Sequence, residues 1–324
     1  MRKMLLAFRP GELSDEKLDK IENLSPGYEL LHTHDHAEIE ASLDEIEIAV
    51  RFFPPELASR APNLKWFQQW AVGADWLMKD SAAVEHPFVL TNGRGIQSDC
   101  ICEHVFGLLL FHARKFDKTY IAQQMGEWQN QWIPERMGTF FELSGKTMVV
   151  IGLGAIGSRV VTVAKAFKMN VIGVRRRLDL PAPDVDTLVD VSRLDEVLPQ
   201  ADFVVLSLPL THQTLGLIGE AQFRIMKPSA ILVNISRGPI IQEDVLIQAL
   251  QESWIAGAGL DTFEVEPLAP ESPLWSFDNV ILTPHSAGVT PDHFERGLAI
   301  FMDNLKRYKD DQVLINVVDK EAGY

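Results

Sequence analysis

The stretch Thr147–Phe167, TMVVIGLGAIGSRVVTVAKAF, joins a short apolar strand to an amphipathic helix through a turn that carries three glycines. Their spacing is G-x-G-x-x-G, with Gly152 first, Gly154 second and Gly157 third. In such a turn the first glycine allows a tight bend, the second lets the backbone approach a pyrophosphate, and the third lets helix and strand pack closely. The helix N-terminus then offers unpaired N–H groups to the phosphates. The stretch therefore predicts a dinucleotide-binding turn.

The next strand lies in NVIGVRRR (Asn170–Arg177) and ends where a carboxylate usually binds the adenosine ribose. Arg175 stands at that position, and Arg176 and Arg177 follow it. A guanidinium cannot accept hydrogen bonds from ribose hydroxyls, but it binds a 2′-phosphate in a bidentate manner. The stretch therefore favours NADP(H) over NAD(H) as the cofactor. The alternative is a solvated basic turn, because charges on a protein surface cluster readily.

Strand-like and helix-like segments alternate on both sides of the glycine turn, which predicts an α/β fold. After Lys146 the apolar runs lack period-2 alternation, as is typical of central parallel strands covered on both faces. We expect a Rossmann-type doubly wound parallel sheet over residues 96–289. A smaller, flavodoxin-like α/β substrate domain is expected over residues 1–95 and 290–324, and it is therefore discontinuous. Five apolar runs predict its strands: KMLLAF, YELLHT, EIEIAVRF, LKWFQQWAV and PFVLTN.

The composition narrows the class of protein. The net charge of −15 over 324 residues argues against nucleic acid or an anionic membrane as a partner. The two cysteines, Cys100 and Cys102, form no disulfide framework and indicate a reducing compartment. The apolar core of MRKMLLAFRP is too short for a signal peptide, and VFGLLLF (Val105–Phe111) is too short to cross a bilayer. We therefore expect a cytoplasmic protein.

Chemically active side chains follow three successive predicted strands. Arg237 comes after the strand in VNISRG, Asp261 and Glu266 come after the strand in AGAGLD, and His285 comes after the strand in NVILTP. In an open parallel sheet, ligands bind beyond the carboxyl ends of the strands, so these side chains should converge beside a bound dinucleotide. Each of them alone has a structural explanation as an ion-pair partner, a loop acid or a packing histidine. Together, behind a dinucleotide turn, they indicate an active site.

Five motifs, GLGAIG, SLPLTHQT, NISRG, GLDTFEVEPL and TPHSAG, resemble in order and spacing the D-isomer-specific 2-hydroxyacid dehydrogenase family. The resemblance is strong from about Gly93 to Gly288 and looser over residues 1–90, where WAVGADWL (Trp70–Leu77) looks like the family's substrate-carboxylate loop. It implies an NAD(P)-dependent oxidoreductase that acts on a small 2-keto or 2-hydroxy acid. It also implies a homodimer, with the segment GEWQNQWIP (126–134) and a long apolar helix over residues 98–124 as the contact surface.

The resemblance gives each candidate residue a role. His285 would donate a proton to the keto oxygen and take it back in the oxidative direction. Glu266 would favour the protonated imidazole and fix its orientation. Arg237 would bind the substrate carboxylate and polarise the carbonyl, with backbone N–H groups near Val72 and Gly73 completing the clamp. The expected cofactor contacts are Gly152, Gly154, Ala155, Ile156, Gly157, Arg175, Arg176, Arg177, Leu208, Pro209, Thr214, Ile235, Ser236, Asp261, His285 and Gly288.

Two further groups of residues could suggest a different chemistry. His32, His34 and His36 alternate along a predicted strand and would share one face, as metal ligands often do. No closing Cys or carboxylate pattern accompanies them, so we expect no metal site. Cys102 stands where the family commonly has a small apolar residue, and nothing in the sequence indicates a lowered thiol pKa. We expect it to be a packing residue and not a nucleophile.

The leading hypothesis is a cytoplasmic NADPH-dependent reductase of small 2-keto acids such as glyoxylate or hydroxypyruvate. One alternative is a dinucleotide-sensing, corepressor-like binding protein, because transcriptional corepressors also use this fold. Another is an NAD-dependent enzyme that resembles phosphoglycerate dehydrogenase. A phosphorylated substrate is disfavoured because the loop over residues 71–79 offers only Lys79 as an extra cation. The apolar wall of the substrate pocket is expected to include Trp66, Trp70 and Trp76.

Overall fold

The computed structural model describes residues 2–128 and 140–324, which form two compact units. One unit comprises Met1–Ile96 with Thr290–Tyr324, and the other comprises Gln97–Val289. The strands are β1 (Lys3–Ala7), β2 (Glu29–Leu31), β3 (Ile46–Arg51), β4 (Trp66–Gln68), β5 (Val89–Thr91), β6 (Thr147–Ile151), β7 (Asn170–Val174), β8 (Thr187–Val189), β9 (Phe203–Leu206), β10 (Ile231–Asn234), β11 (Gly257–Leu260) and β12 (Val280–Leu282). The α-helices are α1 (Asp15–Leu24), α2 (His36–Ala41), α3 (Ser81–Glu85), α4 (Ser98–Arg114), α5 (Phe116–Met125), α6 (Ala155–Ala166), α7 (Leu194–Val197), α8 (Glu220–Ile225), α9 (Glu243–Gln251) and α10 (His293–Lys309).

The first unit contains a parallel sheet with the strand order β2-β1-β3-β4-β5. This is the flavodoxin-like order, and each of the five predicted strands is present. Strand β3 is buried along nearly its whole length, because apolar side chains cover both faces of the sheet. Helix α10, near the end of the chain, packs Phe301 and Leu305 into the same cluster as Ile48 and Trp66.

The second unit contains a seven-stranded parallel sheet with the order β12-β11-β10-β9-β6-β7-β8. Strand β6 pairs with β7 on one side and with β9 on the other, so the strand order reverses at β6. In doubly wound sheets this reversal opens the crevice in which ligands bind. Separate apolar clusters cover the two faces of the sheet, which explains why its central strands read as continuous apolar runs. The predicted Rossmann-type sheet is confirmed.

The predicted long helix over residues 98–124 is wrong in one respect, because the structure divides it in two. Helix α4 ends at Arg114 and α5 begins at Phe116, with Lys115 between them in the left-handed region at φ 54°. The N–H of Lys115 donates to the carbonyl of Phe111 and closes α4. Neither Gly nor Pro marks the break, so the apolar pattern does not reveal it.

No helix within residues 2–128 and 140–324 is long and apolar enough to span a membrane. Of the segment GEWQNQWIP, which we expect to take part in dimer contacts, residues 129–134 lie outside the described residues.

The expected strand that would align three histidines on one face is not formed, so that premise is wrong. Strand β2 ends at Leu31, before His32 and His34, and His36 is already the first residue of α2. The side chain of Asp35 caps that helix and ends the extended segment. Within the described ranges, no group of three or more His, Cys, Asp or Glu side chains is placed to hold a metal ion.

Candidate active site

The glycine turn lies between β6 and α6, and its backbone needs two of its glycines for different reasons. Gly152 has φ +96°, and a Cβ on it would lie 2.5 Å from the carbonyl oxygen of Ser207. A Cβ on Gly157 would lie 1.9 Å from the carbonyl oxygen of Gly152, so helix and strand could not pack as they do. A Cβ on Gly154, in contrast, would meet no described atom within 4 Å. The turn is therefore closely packed at Gly152 and Gly157 and open at Gly154.

The start of α6 fits the pyrophosphate of a nicotinamide dinucleotide. Gly154 is the cap residue and offers no side-chain hydrogen bond to the first N–H groups, those of Ala155 and Ile156. N–H groups at a helix N-terminus bind anions, and the open space at Gly154 lets a ligand reach them. The hydroxyl of Ser207 donates to the carbonyl of Gly152 at 2.6 Å and so fixes the turn against the end of β9.

Arg175 lies directly after β7, in the position where an acidic residue would bind the ribose. Its N–H donates to the carbonyl of Val189 and extends the pairing of β7 with β8. Its guanidinium donates to the carbonyl oxygens of Leu180 and Pro181 in the turn that follows. The Nε atom is buried and has no hydrogen-bond partner among the described residues. Arg175 thus shapes the turn, and it stands at the position where a carboxylate would bind a ribose.

Arg176 and Arg177 are exposed on the same turn. Nη1 of Arg176 donates to Oε1 of Gln213 at 2.7 Å, which links this turn to the loop after β9. Nη2 of Arg177 lies 3.3 Å from Oδ2 of Asp179. The three arginines therefore form a basic edge at the end of β7, within an acidic chain.

The other expected cofactor residues lie in loops at the carboxyl ends of neighbouring strands. The N–H of Leu208 donates to Oγ of Ser236 at 3.1 Å, which joins the loops after β9 and β10. The hydroxyl of Thr214 donates to the carbonyl of Pro209 at 2.7 Å and closes the first of these loops. The remaining four are Ile235, after β10, Asp261, after β11, and His285 and Gly288, after β12.

A histidine and a carboxylate are paired at this edge of the sheet. Nδ1 of His285 lies 2.7 Å from Oε2 of Glu266. Oε1 of the same carboxylate accepts the N–H of Phe263 at 3.1 Å, so the carboxylate is held in place. Because Nδ1 faces Glu266, the other ring nitrogen, Nε2, is the one available for proton transfer. The His285 side chain is 47% exposed, so a substrate can reach it.

The backbone that carries His285 adopts an uncommon conformation, with φ +50°. Asp261, which is 2% exposed, holds this segment in place. Its Oδ1 accepts the Thr283 hydroxyl at 2.6 Å and the Ser286 N–H at 2.9 Å, and its Oδ2 accepts the Ala287 N–H at 3.0 Å. The sequence predicts Asp261 as an active-site residue that contacts the cofactor. In the structure both its oxygens anchor the loop on which His285 stands.

Arg237 follows strand β10. The neighbouring strand, β11, leads into the loop that carries Glu266. Nη1 of Arg237 donates to the carbonyl of the preceding residue at 2.8 Å, and its own carbonyl accepts Nδ2 of Asn234 at 3.0 Å. A Cβ on Gly238 would lie 1.8 Å from the carbonyl carbon of Phe263, so the loops after β10 and β11 lie directly against each other. Since β10, β11 and β12 are neighbours, the loops of Arg237, Glu266 and His285 meet at one edge of the sheet.

In the first unit, the loop after β4 contains the residues expected to bind a carboxylate. The side-chain amide of Gln69 donates to the carbonyl oxygens of Ala71, at 3.0 Å, and Gly73, at 2.7 Å. The side-chain amide of Asn92 donates to the carbonyl of Val72 at 2.8 Å. The sequence does not single out Gln69 or Asn92 as site residues, because each lies in a run that predicts only a strand.

The expected tryptophan wall is wrong for Trp66. This side chain is fully buried, stacks on Tyr308 with 5.4 Å between ring centroids, and donates Nε1 to Oγ1 of Thr91 at 2.8 Å. It lies on the face of β4 that α10 covers. Trp70 is 6% exposed, and Trp76 is half-buried.

Cys102 is buried in α4, and its environment suits a packing residue. Burial raises the pKa of the thiol to about 11, so it carries its proton at neutral pH. A protonated thiol is a poor nucleophile. Cys102 is therefore a packing residue of α4.

Comparison with known proteins identifies the family. Residues 106–287 match the family model "D-isomer specific 2-hydroxyacid dehydrogenase, NAD binding domain". The chain is 37% identical over 269 residues to a glyoxylate reductase of Pyrococcus furiosus, across 82% of this chain and 79% of that protein.

Two solved structures resemble it over their whole length. One is an NADPH-dependent glyoxylate/hydroxypyruvate reductase of Sinorhizobium meliloti in complex with NADP and sulfate, with 28% identity, a TM-score of 0.80 and 100% coverage of both chains. The other is a D-isomer specific 2-hydroxyacid dehydrogenase of Xanthobacter autotrophicus Py2 in complex with NADPH and MES, with 26% identity, a TM-score of 0.83 and the same coverage. The protein belongs to the D-isomer-specific 2-hydroxyacid dehydrogenase family.

Proposed function

We propose that this protein is an NADPH-dependent reductase of small 2-keto acids, with glyoxylate and hydroxypyruvate as its first candidate substrates. The observation that carries the proposal is the pairing of His285 with Glu266 at 2.7 Å, beside the loop of Arg237. Family membership supports an NAD(P)-dependent oxidoreductase that acts on 2-hydroxy acids. The names of the relatives support glyoxylate and hydroxypyruvate as substrates.

Reduction of a 2-keto acid adds a hydride to the carbonyl carbon and a proton to its oxygen. The bound dinucleotide supplies the hydride. Nε2 of His285 donates the proton as the alkoxide charge develops. The Glu266 carboxylate accepts a hydrogen bond from the Nδ1–H group, which keeps Nε2 directed at the substrate and places a negative charge beside the protonated ring. After the transfer, the half-exposed imidazole recovers a proton from solvent.

The substrate carboxylate needs its own partners. The Arg237 guanidinium presents a planar fork of donors that matches a carboxylate and also polarises the neighbouring carbonyl. The N–H groups of Val72 and Gly73 add two neutral donors. In this assignment the unit Gln97–Val289 binds the dinucleotide and supplies Arg237, and the unit formed by Met1–Ile96 and Thr290–Tyr324 supplies the N–H groups of Val72 and Gly73.

The preference for NADPH rests on the turn after β7. Arg175 occupies the position of the ribose-binding acid, and Arg176 and Arg177 add positive charge beside it. The positive charge of this basic edge stabilises a 2′-phosphate. The ribose hydroxyls of NADH, in contrast, have no carboxylate at this position to accept their hydrogen bonds. NADPH and NADP are the nucleotides in the two solved relatives described above.

Homodimer formation is part of the proposal. Helix α5 and the three residues after it expose large apolar side chains, and such patches mark contact surfaces. The exposed side chains are Phe116, Tyr120, Ile121, Met125 and Trp128. Light scattering after gel filtration should give twice the chain mass of 36.4 kDa, and a monomer at micromolar concentration would contradict this part.

Turnover separates this proposal from a dinucleotide-sensing protein without activity. Glyoxylate, hydroxypyruvate and a phosphorylated 2-keto acid are assayed with NADPH at the absorbance of the reduced nicotinamide. A His285→Ala variant should lose roughly 10²–10⁴-fold in kcat, which is the usual contribution of a positioned acid. His34→Ala changes an exposed histidine in the other unit and serves as the matched control. Near-normal kcat in His285→Ala would refute the mechanism.

A further inference from the structure

We infer that Gln69 is a positioning residue that pre-organises the loop Ala71–Gly73 as an anion-binding cradle. This inference rests on the proposed function, because it concerns how that loop binds the carboxylate of a 2-keto acid. Gln69 itself does not touch the substrate. It acts through the carbonyl oxygens of Ala71 and Gly73, which it holds from behind.

The geometry of the peptide unit gives this contact its consequence. In a planar trans peptide, the carbonyl of one residue and the N–H of the next point in opposite directions. The bond from Gln69 to the Ala71 carbonyl therefore sets the direction of the Val72 N–H. The bond from Asn92 to the Val72 carbonyl sets the direction of the Gly73 N–H in the same way. Two successive N–H groups thus point away from the amides that hold the loop.

These two N–H groups are the ones expected to bind the carboxylate. Among the residues that the structure describes, none accepts a hydrogen bond from the N–H of Val72 or of Gly73. Both residues are partly exposed, so an anion can reach them. The N–H of Gly93 also donates to the Ala71 carbonyl, at 3.3 Å, which places a second donor on the same buried side of the loop.

The orientation of both side-chain amides is determined by their other partners. Nε1 of Trp76 can only donate, and it lies 3.0 Å from Oε1 of Gln69, so Nε2 of Gln69 must face the loop. The backbone N–H of Arg94 likewise donates to Oδ1 of Asn92, so Nδ2 of Asn92 must face Val72. Neither amide can be flipped without losing a bond at each end.

Gln69 is well placed to keep the loop rigid. It is 5% exposed, and its backbone N–H donates to the carbonyl of Thr91 at 2.9 Å, so its main chain continues the pairing of β4 with β5. One side-chain nitrogen holds two carbonyl oxygens that are two residues apart. Donors fixed before the ligand arrives bind an anion more tightly than donors that must first be ordered. The inference is therefore that Gln69 sets the affinity for the substrate carboxylate.

The test compares two variants with a matched control. Gln69→Met keeps the length of the side chain and removes both donors. Asn92→Ala removes the second clamp and decides the question if Gln69→Met does not fold. Asn63→Ala is the control. The side-chain amide of Asn63 also donates to a backbone carbonyl, that of Asp44, at 2.7 Å, but Asn63 precedes β4, whereas the loop Ala71–Gly73 follows it.

The expected result is a rise in KM for the 2-keto acid of roughly tenfold to a hundredfold in both variants, because the two N–H groups lose their fixed direction. The kcat should change by less than about threefold, since His285 is untouched. The Kd of NADPH should match that of Asn63→Ala, whereas the Tm should fall, because the Nε1 donor of Trp76 loses its acceptor in Gln69→Met. An unchanged KM in a folded variant would overturn the inference.

Calorimetric binding of oxalate keeps this test separate from the proposed function. If the unmodified protein reduces no 2-keto acid, the proposed reaction fails, but oxalate still probes the cradle as a small carboxylate. Weaker oxalate binding in Gln69→Met than in Asn63→Ala supports the inference. Equal binding in the two variants, or no oxalate binding by the unmodified protein, refutes it.

Discussion

Oε2 of Glu266 lies 2.7 Å from Nδ1 of His285, while Oε1 of the same carboxylate accepts the N–H of Phe263. The backbone thus holds one side of the carboxylate, and the other side orients the imidazole. The two residues come from the loops after β11 and β12, which are neighbouring strands. The fold, and not a local motif, therefore assembles the pair.

Glu266→Gln should lower kcat by roughly tenfold to a hundredfold while leaving the NADPH Kd unchanged, because the amide keeps the shape but removes the charge beside the ring. Steady-state kinetics with a 2-keto acid measure the effect. Glu264→Gln changes an exposed neighbour on the same loop and is the control. A Glu266→Gln variant as active as the control would show that the pair has no catalytic role.

Asp261→Asn should both destabilise the protein and lower its activity. An amide can accept on one side only, so either the Ala287 N–H or the Thr283 and Ser286 donors lose their acceptor. A buried donor left unpaired costs about 1–3 kcal/mol. We expect a lower Tm and a reduced kcat, measured on the same preparation. A variant that loses stability but retains full kcat would contradict the anchoring of His285 by Asp261.

Glu47→Gln tests the ion pairs and hydrogen bonds around a buried carboxylate in the other unit. Burial alone would raise the pKa of Glu47, but hydrogen bonds from Tyr28 and Lys65 outweigh it and hold the pKa below its ordinary value. A carboxyl with a lowered folded-state pKa stabilises the fold above its ordinary pKa, and this contribution disappears as the pH falls through the lowered value. The Glu47→Gln substitution should lower the free energy of unfolding by about 1–3 kcal/mol at neutral pH.

Chemical denaturation at neutral and at acidic pH measures this difference. The difference in the free energy of unfolding between the unmodified protein and Glu47→Gln should narrow as the pH falls below the ordinary carboxyl range. A difference that stays constant across that range would mean that the charge of Glu47 contributes nothing.

Cys102→Ala should retain kcat within about twofold, since the thiol, with a pKa raised to about 11, takes no part in the reaction. The small cavity should cost about 1 kcal/mol, visible as a lower Tm. Alkylation followed by mass spectrometry should leave Cys102 unmodified in the folded protein. A large loss of kcat would give the thiol a function that the structure does not support.

The sequence was sufficient where local pattern determines structure. Continuous apolar runs predicted the covered parallel strands, and the glycine spacing located the turn whose Gly152 and Gly157 have no room for a side chain. Strand order placed the loops of Arg237, Glu266 and His285 together, because parallel strands end at one edge. Each of these inferences depends on spacing along the chain.

Other features depend on backbone conformations and side-chain contacts that have no periodic signature, so they could not be read from the sequence. The left-handed Lys115 divides a helix whose apolar pattern continues through it. Gln69 and Asn92 meet the same loop from different strands, so no spacing relates them. The position of Arg175 was predicted, but its bonds to the carbonyls of its own turn required the folded turn itself.

The central claim is that the protein reduces a 2-keto acid with NADPH, and the most direct test is the ratio of kcat/KM for NADPH to that for NADH, with glyoxylate at saturation. We expect the ratio to exceed about tenfold, because one phosphate bound by the arginine edge is worth more than 1.4 kcal/mol. The ratio should fall in Arg175→Ala and in Arg176→Ala. Equal use of the two cofactors by the unmodified protein would contradict the account.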